Sequence, residues 1–294
     1  MSNKSVMDII DEQEWLDKTG AAIQPVILNA FKAAGKTGND IKNFLHGKWL
    51  GHPVHPMVTD VPIGAWTTAA VLDTMELCGN KKYKPGADAA VSVGLVGAAG
   101  AALTGLTDWT GTTEIERKTG LVHAMLNVAA TGLYLTSLFL RRRKGSRGAA
   151  ITLSMVGYGI TAASAYLGGN LVYRKQVGVD HTAIPMGYPE DFLAVLPENE
   201  LGENEMKCVH PGKADILLAK KNNRIFALAH TCSHLGGPLS EGELLDNCQV
   251  RCPWHGSVFS LEDGTVIDGP ATEPQPKFDV RVKDGQIEVR LKKN

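Results

Sequence analysis

The sequence predicts an α + β multidomain chain, with an N-terminal four-helix transmembrane bundle and a C-terminal all-β sandwich. Three observations support this prediction. Long uncharged runs follow one another between residues 57 and 173, a stretch punctuated by Gly and Pro covers 176–189, and short alternating apolar segments come after it. We therefore divide the chain into a polar N-terminal segment (1–45), a membrane domain (46–175), a linker (176–189) and a β domain (190–294).

Three runs without Asp, Glu, Lys or Arg predict membrane helices, and they extend from Ala89 to Thr107, from Thr119 to Leu140 and from Gly148 to Tyr173. A bilayer core needs about 20 apolar residues in helix, so each run is long enough to span it. A fourth candidate, Met57 to Cys78, contains Asp73 and Glu76. The runs are rich in Gly, Ala, Ser and Thr, which let membrane helices approach closely. The alternative is a soluble bundle of Ala-rich helices.

The charged residues between these runs predict an orientation in the lipid bilayer. Basic residues cluster in the loops after the first and third helices, at Lys81, Lys82, Lys84, Arg141, Arg142, Arg143, Lys144 and Arg147. In a four-helix arrangement both loops lie at one face, and the positive-inside rule places that face in the cytoplasm. The β domain would then be extracytoplasmic, on a bacterial plasma membrane. The run Arg141-Arg142-Arg143 before the last helix is where a twin-arginine export signal would act, although the usual apolar residues after such a signal are missing. The alternative is that these arginines are a plain positive-inside anchor, and a cytoplasmic β domain is then the simpler topology.

Other features of the N-terminal half and of the total charge limit the possible functions. Residues 8–16 predict a short amphipathic helix, and no apolar run follows a basic tip as in a cleavable signal peptide. The formal net charge of −1 argues against a nucleic-acid partner, because phosphate-binding surfaces need excess Lys and Arg. The β domain carries more Asp and Glu than Lys and Arg, which favours a basic protein partner.

The β domain is predicted from short apolar runs with period two. The clearest is VRVKDGQIEVRL (280–291), in which apolar residues alternate with polar ones around Asp284-Gly285. Alternation around Asp-Gly predicts a β-hairpin. The runs DILLA (215–219) and RIFALA (224–229) predict two further strands.

Two mixed Cys/His pairs form the most informative pattern, Cys232-x-His234 and Cys252-x-x-His255. Thiolate and imidazole suit zinc or iron–sulfur. Zinc sites mostly use one ligand type per pair. A [2Fe–2S] cluster with two His on one iron instead takes one Cys and one His from each of two loops. The mixed pairs therefore favour iron–sulfur, with zinc as the alternative.

The segments CSHLGGPLSEG, CPWHGSVFSLEDG and GPATEPQP resemble a Rieske [2Fe–2S] domain of the ferredoxin subtype, over roughly residues 190–291. The resemblance implies that Cys232 and Cys252 bind one iron and that His234 and His255 bind the other. It also implies that the imidazoles face the domain surface as the electron route, with electron uptake coupled to a proton.

Around the ligands, Gly237 and Trp254 occupy the places where respiratory Rieske domains carry a disulfide, so that disulfide is not expected. Ser257 is expected to donate its hydroxyl to a bridging sulfide, and Pro270 to help form a rigid turn over the cluster. The family's tyrosine donor is replaced by Phe259. Fewer donors predict a lower reduction potential, as in the ferredoxin and oxygenase branch.

The remaining thiols Cys78, Cys208 and Cys248 are interpreted as structural, with a spare cluster ligand as the alternative for Cys248, which lies four residues before Cys252. A Rieske oxygenase would further need a mononuclear iron held by two His and a carboxylate. No His follows His255, so we do not expect an oxygenase on this chain.

The stretch GHPVHPMVTDVPIGAW (51–66) resembles the entry to the first helix in an uncharacterised family of four-helix bacterial membrane proteins, with its HPxHP-type motif. His55 in this motif and His123 in the third helix are predicted at one membrane face. Ionisable residues there suggest function, either as ligands of a b-type haem or as a quinone site. The alternative is that His52 and His55 lie at the membrane interface as hydrogen-bonded caps near the Pro turns.

These observations together predict a membrane-anchored electron-transfer protein with redox-protein donors and acceptors. The rival predictions are a quinol- or haem-linked oxidoreductase subunit, a redox sensor, and a ferredoxin serving an oxygenase.

Overall fold

A computed structural model describes residues 4–182 and 187–292. The chain divides into two compact units. One contains the described residues up to Ile41, together with Pro53–Val177; the other contains Lys42–His52 and the described residues from Gly178 onward. The predicted linker 176–189 lies partly outside the described residues.

The first unit is helical. Its helices, with α3 reaching into the second unit, are α1 (Val6–Asp11), α2 (Glu14–Ala33), α3 (Gly35–His46), α4 (Val54–Leu77), α5 (Lys84–Trp109), α6 (Glu114–Arg141) and α7 (Arg147–Tyr173). Three described helical stretches, covering α5, α6 and α7, are long and apolar enough to cross a membrane. Helix α4 has 24 residues but is not among these three. The helical N-terminal region with apolar helices is therefore confirmed, whereas the count of four spanning helices is not.

Small residues let α4, α5, α6 and α7 pack closely around two stacked aromatic rings. The rings of Trp66 and Tyr134 lie 4.0 Å apart with an interplanar angle of 11°. A Cβ at Gly94 would collide with the Trp66 indole, and a Cβ at Gly157 would lie 3.1 Å from the Tyr134 ring. Glycine at these positions therefore makes room for the aromatic pair, as small residues do at interfaces between membrane helices.

We expect Gly94→Ala to destabilise the helical unit by about 1–3 kcal/mol, because the added methyl group must displace the Trp66 indole. Gly159→Ala on α7 is the matched control, since a Cβ there meets nothing within 4 Å. It should be neutral or stabilising by up to about 1 kcal/mol, because alanine favours a helix over glycine. Unfolding in detergent, followed by far-UV circular dichroism, measures both changes. Equal losses in the two variants would contradict the packing role of Gly94.

The N-terminal segment is more ordered than its polar composition predicts. The predicted helix at 8–16 is divided, because α1 ends at Asp11 and α2 begins at Glu14. Met7, Ile10 and Leu16 are buried with Leu167 of α7. Met7 and Ile10 are three positions apart in α1 and therefore share its buried face, whereas Val6 and Ile9 of the same helix are exposed.

Two arginines of the predicted basic loops are neutralised by acidic partners. Arg141 and Asp73 form a fully buried ion pair, in which Arg141 Nη1 donates to Asp73 Oδ1 at 2.9 Å. Arg147 bonds to Glu76 and Asp88, with its Nε 3.0 Å from the Glu76 carboxylate. Asp73 and Glu76 therefore have partners within the bundle, as expected for helix-end or interior carboxylates.

The second unit contains two antiparallel sheets. Its strands are β1 (Leu193–Pro197), β2 (Met206–Val209), β3 (Ile216–Lys221), β4 (Arg224–Ala229), β5 (Glu243–Leu245), β6 (Gln249–Arg251), β7 (Val258–Ser260), β8 (Val266–Asp268), β9 (Lys277–Lys283) and β10 (Gln286–Leu291). One sheet has the order β1-β10-β9-β4-β3-β2 and the other β5-β6-β7-β8. The predicted hairpin is confirmed as β9 and β10, and its turn residues Asp284 and Gly285 have φ of 50° and 74°.

The six-stranded sheet buries a different core on each face. Leu217, Ala219, Phe226 and Leu228 point to the core that also contains Cys232, Cys252 and Phe259. The alternate residues, among them Ile216 and Leu218, form the second core with Phe278 and Val289. This alternation follows from the two-residue period of a strand, and it places both buried cysteines in one core.

Candidate functional site

The first loop of the site follows β4 and contains Cys232 and His234. The Cys232 amide donates to the carbonyl of Gly237 at 2.9 Å, and the Gly236 amide donates back to the Cys232 carbonyl at 2.9 Å. Gly236 has φ of +78°, a conformation that glycine adopts without strain. Thr231 and Pro238 form a β-bridge that closes the loop.

The second loop joins β6 to β7 and repeats this geometry. The Cys252 amide donates to the Ser257 carbonyl at 2.8 Å, and the Gly256 amide donates to the Cys252 carbonyl at 3.2 Å. Gly256 has φ of +76°. Each loop therefore pairs its cysteine with the residues four and five positions later, although the His stands two residues after Cys in one loop and three after it in the other. This pseudo-symmetry presents one thiol and one imidazole from each side.

The structure brings the four predicted ligand residues together. Cys232 and Cys252 are buried, and the rings of His234 and His255 lie 5.0 Å apart at an angle of 81°. The pKa of the Cys252 thiol is lowered to about 7, chiefly by a hydrogen bond with the Cys232 thiol and also by the backbone amides of Trp254 and His255. The same hydrogen bond, together with burial, raises the pKa of Cys232 well above its usual value. The Cys252 thiolate is therefore the readier of the two to bind metal.

Burial keeps the two imidazoles neutral. It lowers the pKa of His255 to about 4, and it lowers that of His234 well below the usual value, with further contributions from His255, His46 and His181. A neutral imidazole is the form that ligates a metal. The buried nitrogens His234 Nδ1 and His255 Nε2 have no hydrogen-bond partner among the described residues. Two thiols, two neutral imidazoles and two unpartnered buried nitrogens fit a Cys₂His₂-ligated [2Fe–2S] cluster.

The four residues predicted around the ligands lie in or next to the two loops. A Cβ at Gly237 would lie 2.8 Å from Cys252 Sγ, so a larger residue has no space there. The Ser257 hydroxyl oxygen accepts from the Ala271 amide at 2.9 Å, which leaves its proton available for a sulfide. Trp254 is 55% exposed. Pro270 stands between Gly269 and Ala271, in the turn that closes over Ser257.

We expect Gly237→Ala to reduce the iron content of the purified protein at least fivefold, because the methyl group would push against Cys252 Sγ. Gly236→Ala is the comparison variant. It adds strain at a positive φ, of order 1 kcal/mol, but a Cβ there is 3.7 Å or more from its neighbours. Iron and acid-labile sulfide per chain measure both effects. A Gly237→Ala protein with full iron would show that close loop contact is not required.

Sequence reasoning did not find that residues distant in sequence, His46 and His181, lie near His234. The segment Lys42–His52 belongs to this unit, and it contains buried His46. Gly269 donates its amide to Asn43 Oδ1 at 3.0 Å, and Lys42 forms an ion pair of 3.1 Å with Asp268. His181 donates its amide to the Ser233 carbonyl at 3.0 Å. These contacts join residues more than 50 positions apart in sequence, and no local pattern signals them.

The helical unit brings the other predicted pair together. The rings of His55 and His123 lie 6.3 Å apart at an angle of 89°. His55 Nδ1 is 2.9 Å from the Ala101 carbonyl, and His123 Nδ1 is 2.8 Å from the Ser164 carbonyl. The pair is therefore held at a fixed tautomer by backbone carbonyls from two other helices.

Comparison with known proteins assigns both parts of the chain. Residues 191–279 match the Rieske [2Fe-2S] domain model, and residues 51–181 match a predicted membrane protein family, DUF2231. The predictions of a C-terminal Rieske domain and of a membrane domain are confirmed. The HPxHP motif itself stays a prediction.

Individual relatives resemble the Rieske part. The chain is 40% identical over 77 residues to the ferredoxin subunit of 3-phenylpropionate/cinnamic acid dioxygenase of Photorhabdus laumondii, covering 26% of this chain and 73% of that protein. Human apoptosis-inducing factor 3 is 36% identical over 114 residues, which is 38% of this chain and only 19% of that protein. The ferredoxin of carbazole 1,9a-dioxygenase from Nocardioides aromaticivorans aligns with a TM-score of 0.34 and 20% identity, over 35% of this chain and 100% of that chain.

A Rieske domain implies a [2Fe–2S] cluster and single-electron transfer. Through residues 191–279 and its ferredoxin relatives, this chain belongs to the Rieske [2Fe–2S] family.

Proposed function

We propose that the protein is a membrane-anchored carrier of single electrons. In this proposal Cys232 and Cys252 hold one iron and His234 and His255 hold the other. The observation that supports it best is the repeated loop geometry, in which each loop presents one buried cysteine and one imidazole. The bound cluster would supply reversible one-electron chemistry.

The two imidazoles have different surroundings, which suggests different roles. His234 lies near His46 and His181 of the same unit. His255 lies beside Trp254, with ring centroids 6.4 Å apart, and Trp254 is 55% exposed. We propose that a redox partner contacts the side of Trp254 and His255. Exposed aromatic side chains are frequent anchors at interfaces, and the acidic domain favours a basic partner.

The class of partner follows from the relatives in part. The dioxygenase ferredoxin subunit of Photorhabdus laumondii is a component of an oxygenase system, as its name states. We therefore propose a redox protein as donor or acceptor, with an oxygenase component as one possible class. A quinol- or haem-linked oxidoreductase is the second class of partner, and the histidine pair of the helical unit is the feature that favours it.

For the helical unit we propose a bilayer anchor of four spanning helices, α4 to α7. The loops at 78–83 and 142–146 would then lie at the same face of the membrane. Pairing of Arg141 and Arg147 with acidic residues removes two charges from the positive-inside count. Lys81, Lys82, Arg142, Arg143 and Lys144 remain in those loops. They still favour a cytoplasmic position for this face and an extracytoplasmic Rieske domain.

A second candidate function rests on the pair His55 and His123. The two imidazoles come from separate helices, and the Nδ1 atom of each lies at a backbone carbonyl. The Nε2 atom of each ring therefore points away from that carbonyl. This is the arrangement in which a second nitrogen serves a haem iron or a quinone carbonyl. Asn127 Nδ2 lies 3.1 Å from His123 Nε2. A haem iron at His123 Nε2 would require the Asn127 amide to turn away. A quinone carbonyl needs a hydrogen-bond donor, so it would require a protonated imidazole or another donor group.

The main proposal is tested by optical and EPR spectra of the detergent-purified protein, together with iron and sulfide analysis. We expect about two irons and about two acid-labile sulfides per chain, and an EPR signal only after one-electron reduction. A protein with stoichiometric zinc and no sulfide would contradict the proposal.

The same sample tests the second candidate. Haem would add α and β bands on reduction, and bound quinone would appear in a solvent extract. We expect His55→Ala and His123→Ala each to remove that cofactor, while the iron and sulfide content stays unchanged. A haem or quinone that survives both substitutions would show that this pair is not its site.

A further inference from the structure

A second set of metal-binding side chains lies in the Rieske domain outside the cluster loops. Three neighbouring strands, β2, β3 and β4, are in register at Val209, Ile216 and Ala229. The adjacent residues, just beyond the ends of these strands, are His210, Asp215 and His230. The His230 amide donates to the Asp215 carbonyl at 3.0 Å, which continues the ladder. Because side chains alternate along a strand, Cys208 lies on the same face as His210.

The donor atoms of this set converge. One ligand atom each of Cys208, Asp215 and His230 lies within 4.8 Å of the other two. His210 Nδ1 is 2.6 Å from Asp215 Oδ1 and 3.9 Å from Cys208 Sγ. Ligand atoms around a tetrahedral zinc ion are about 3.3–3.8 Å apart, given bonds of about 2.0–2.3 Å. The donors of Cys208, Asp215 and His230 are therefore close to this spacing, and His210, which approaches two of them, is placed to supply the fourth ligand.

The surroundings of His230 resemble those of a metal-ligating imidazole. His230 Nε2 is 2.8 Å from the Ser240 hydroxyl, which fixes the ring and leaves Nδ1 for an ion. Metal-bound imidazoles commonly use their other nitrogen in this way. His210 and Asp215 alone make an ordinary surface pair. That pair does not account for the position of the Cys208 thiol and the fixed His230 ring beside it.

The environment of the Cys208 thiol also favours a bound cation. Burial and the Asp215 carboxylate raise the pKa of Cys208 to about 11, so without a cation it stays protonated beside a negative charge. A divalent cation at the shared point would offset both effects, because it favours the thiolate and is attracted by the carboxylate.

We propose that Cys208, His210, Asp215 and His230 form a second metal site of the Rieske domain that binds Zn²⁺. One thiolate, two imidazoles and one carboxylate are a ligand set typical of zinc. The site joins the ends of three strands at a point two residues before Cys232. A bound ion would therefore tie the start of the first cluster loop to the sheet. The inference does not depend on the proposed electron-transfer function.

The test uses the full-length, detergent-solubilised protein with its cluster, loaded with ZnCl₂ and dialysed against zinc-free buffer. We expect about one zinc per chain beside about two irons. Zinc K-edge X-ray absorption should show a single sulfur at about 2.3 Å, with the other ligands nitrogen or oxygen. Two sulfurs would instead place the zinc at Cys232 and Cys252 and overturn the assignment.

Variants locate the ion. Cys208→Ser and Asp215→Asn should each weaken zinc binding by about 10–100-fold or more while the cluster EPR signal is unchanged. Cys248→Ser is the control, because Cys248 is another partly buried free thiol of the same domain. Should zinc be absent from protein with full iron, or survive in both Cys208→Ser and Asp215→Asn, the site does not exist. Loss of iron and sulfide in the unmodified protein would contradict the electron-transfer proposal instead.

Discussion

Cys232→Ser is expected to lower the iron content from about two atoms per chain to below about 0.2, and to abolish the EPR signal of the reduced protein. The reason is geometric. Cys232 is buried at 1% exposure in the same core as Cys252, and its amide and carbonyl hold the first loop closed. No other cysteine is within the two loops that could replace it, since Cys248 stands four residues before Cys252 on the other side of β6.

Cys248→Ser is the matched control for this loss. Cys248 is free, partly buried and packed against the same core, and Asn222 Nδ2 approaches its sulfur at 3.6 Å. The variant should retain its full iron and sulfide. If Cys248→Ser lost the cluster and Cys232→Ser retained it, the ligand assignment would be wrong.

Arg141→Met is expected to destabilise the helical unit by about 3–5 kcal/mol, the typical cost of removing one partner from a buried ion pair. Both Arg141 and Asp73 have side chains with no exposed surface. Arg141 also donates from Nη1 to Asp88 at 2.8 Å and from Nη2 to Ser154 at 3.1 Å. Without it, the buried Asp73 carboxylate would keep only its longer ion pair with Arg147, whose Nη2 lies 3.8 Å from Asp73 Oδ1. Unfolding in detergent, followed by far-UV circular dichroism, measures the change.

Two comparisons separate this effect from a general loss of charge. Arg142→Met, at the neighbouring exposed position, should change stability by less than about 0.5 kcal/mol. The double variant Arg141→Met with Asp73→Leu should recover much of the loss, because it leaves no unpaired charge at Asp73. If the double variant were less stable than Arg141→Met alone, the ion-pair explanation would not hold.

Local chemistry made part of this structure predictable. The hairpin of β9 and β10 follows from alternation around Asp284-Gly285, and the observed register pairs Val282 with Ile287. The cluster loops were predicted from residue types whose spacing matches one kind of metal centre. The hairpin lies within 12 consecutive residues (280–291) and the cluster pattern within 24 (232–255), so no contact between distant segments had to be known.

Contacts between distant segments were not predictable in this way. His46 is buried in the Rieske unit although it lies at the end of α3. The composition of α3 gives no sign of that position. Arg141 and Arg147 were counted as loop charges, because a sequence does not show that Asp73, Glu76 and Asp88 face them. Cys208 was interpreted as a structural thiol, since its three neighbouring donors meet it only through the strand register.

The most direct test of the account is a Mössbauer spectrum of ⁵⁷Fe-enriched protein, with electron spin echo measurements on a sample labelled with ¹⁵N-histidine. The account predicts two chemically different irons in equal amounts, with two histidine nitrogens coupled to the reduced centre. Two equivalent irons without nitrogen coupling, or a protein free of acid-labile sulfide, would contradict it.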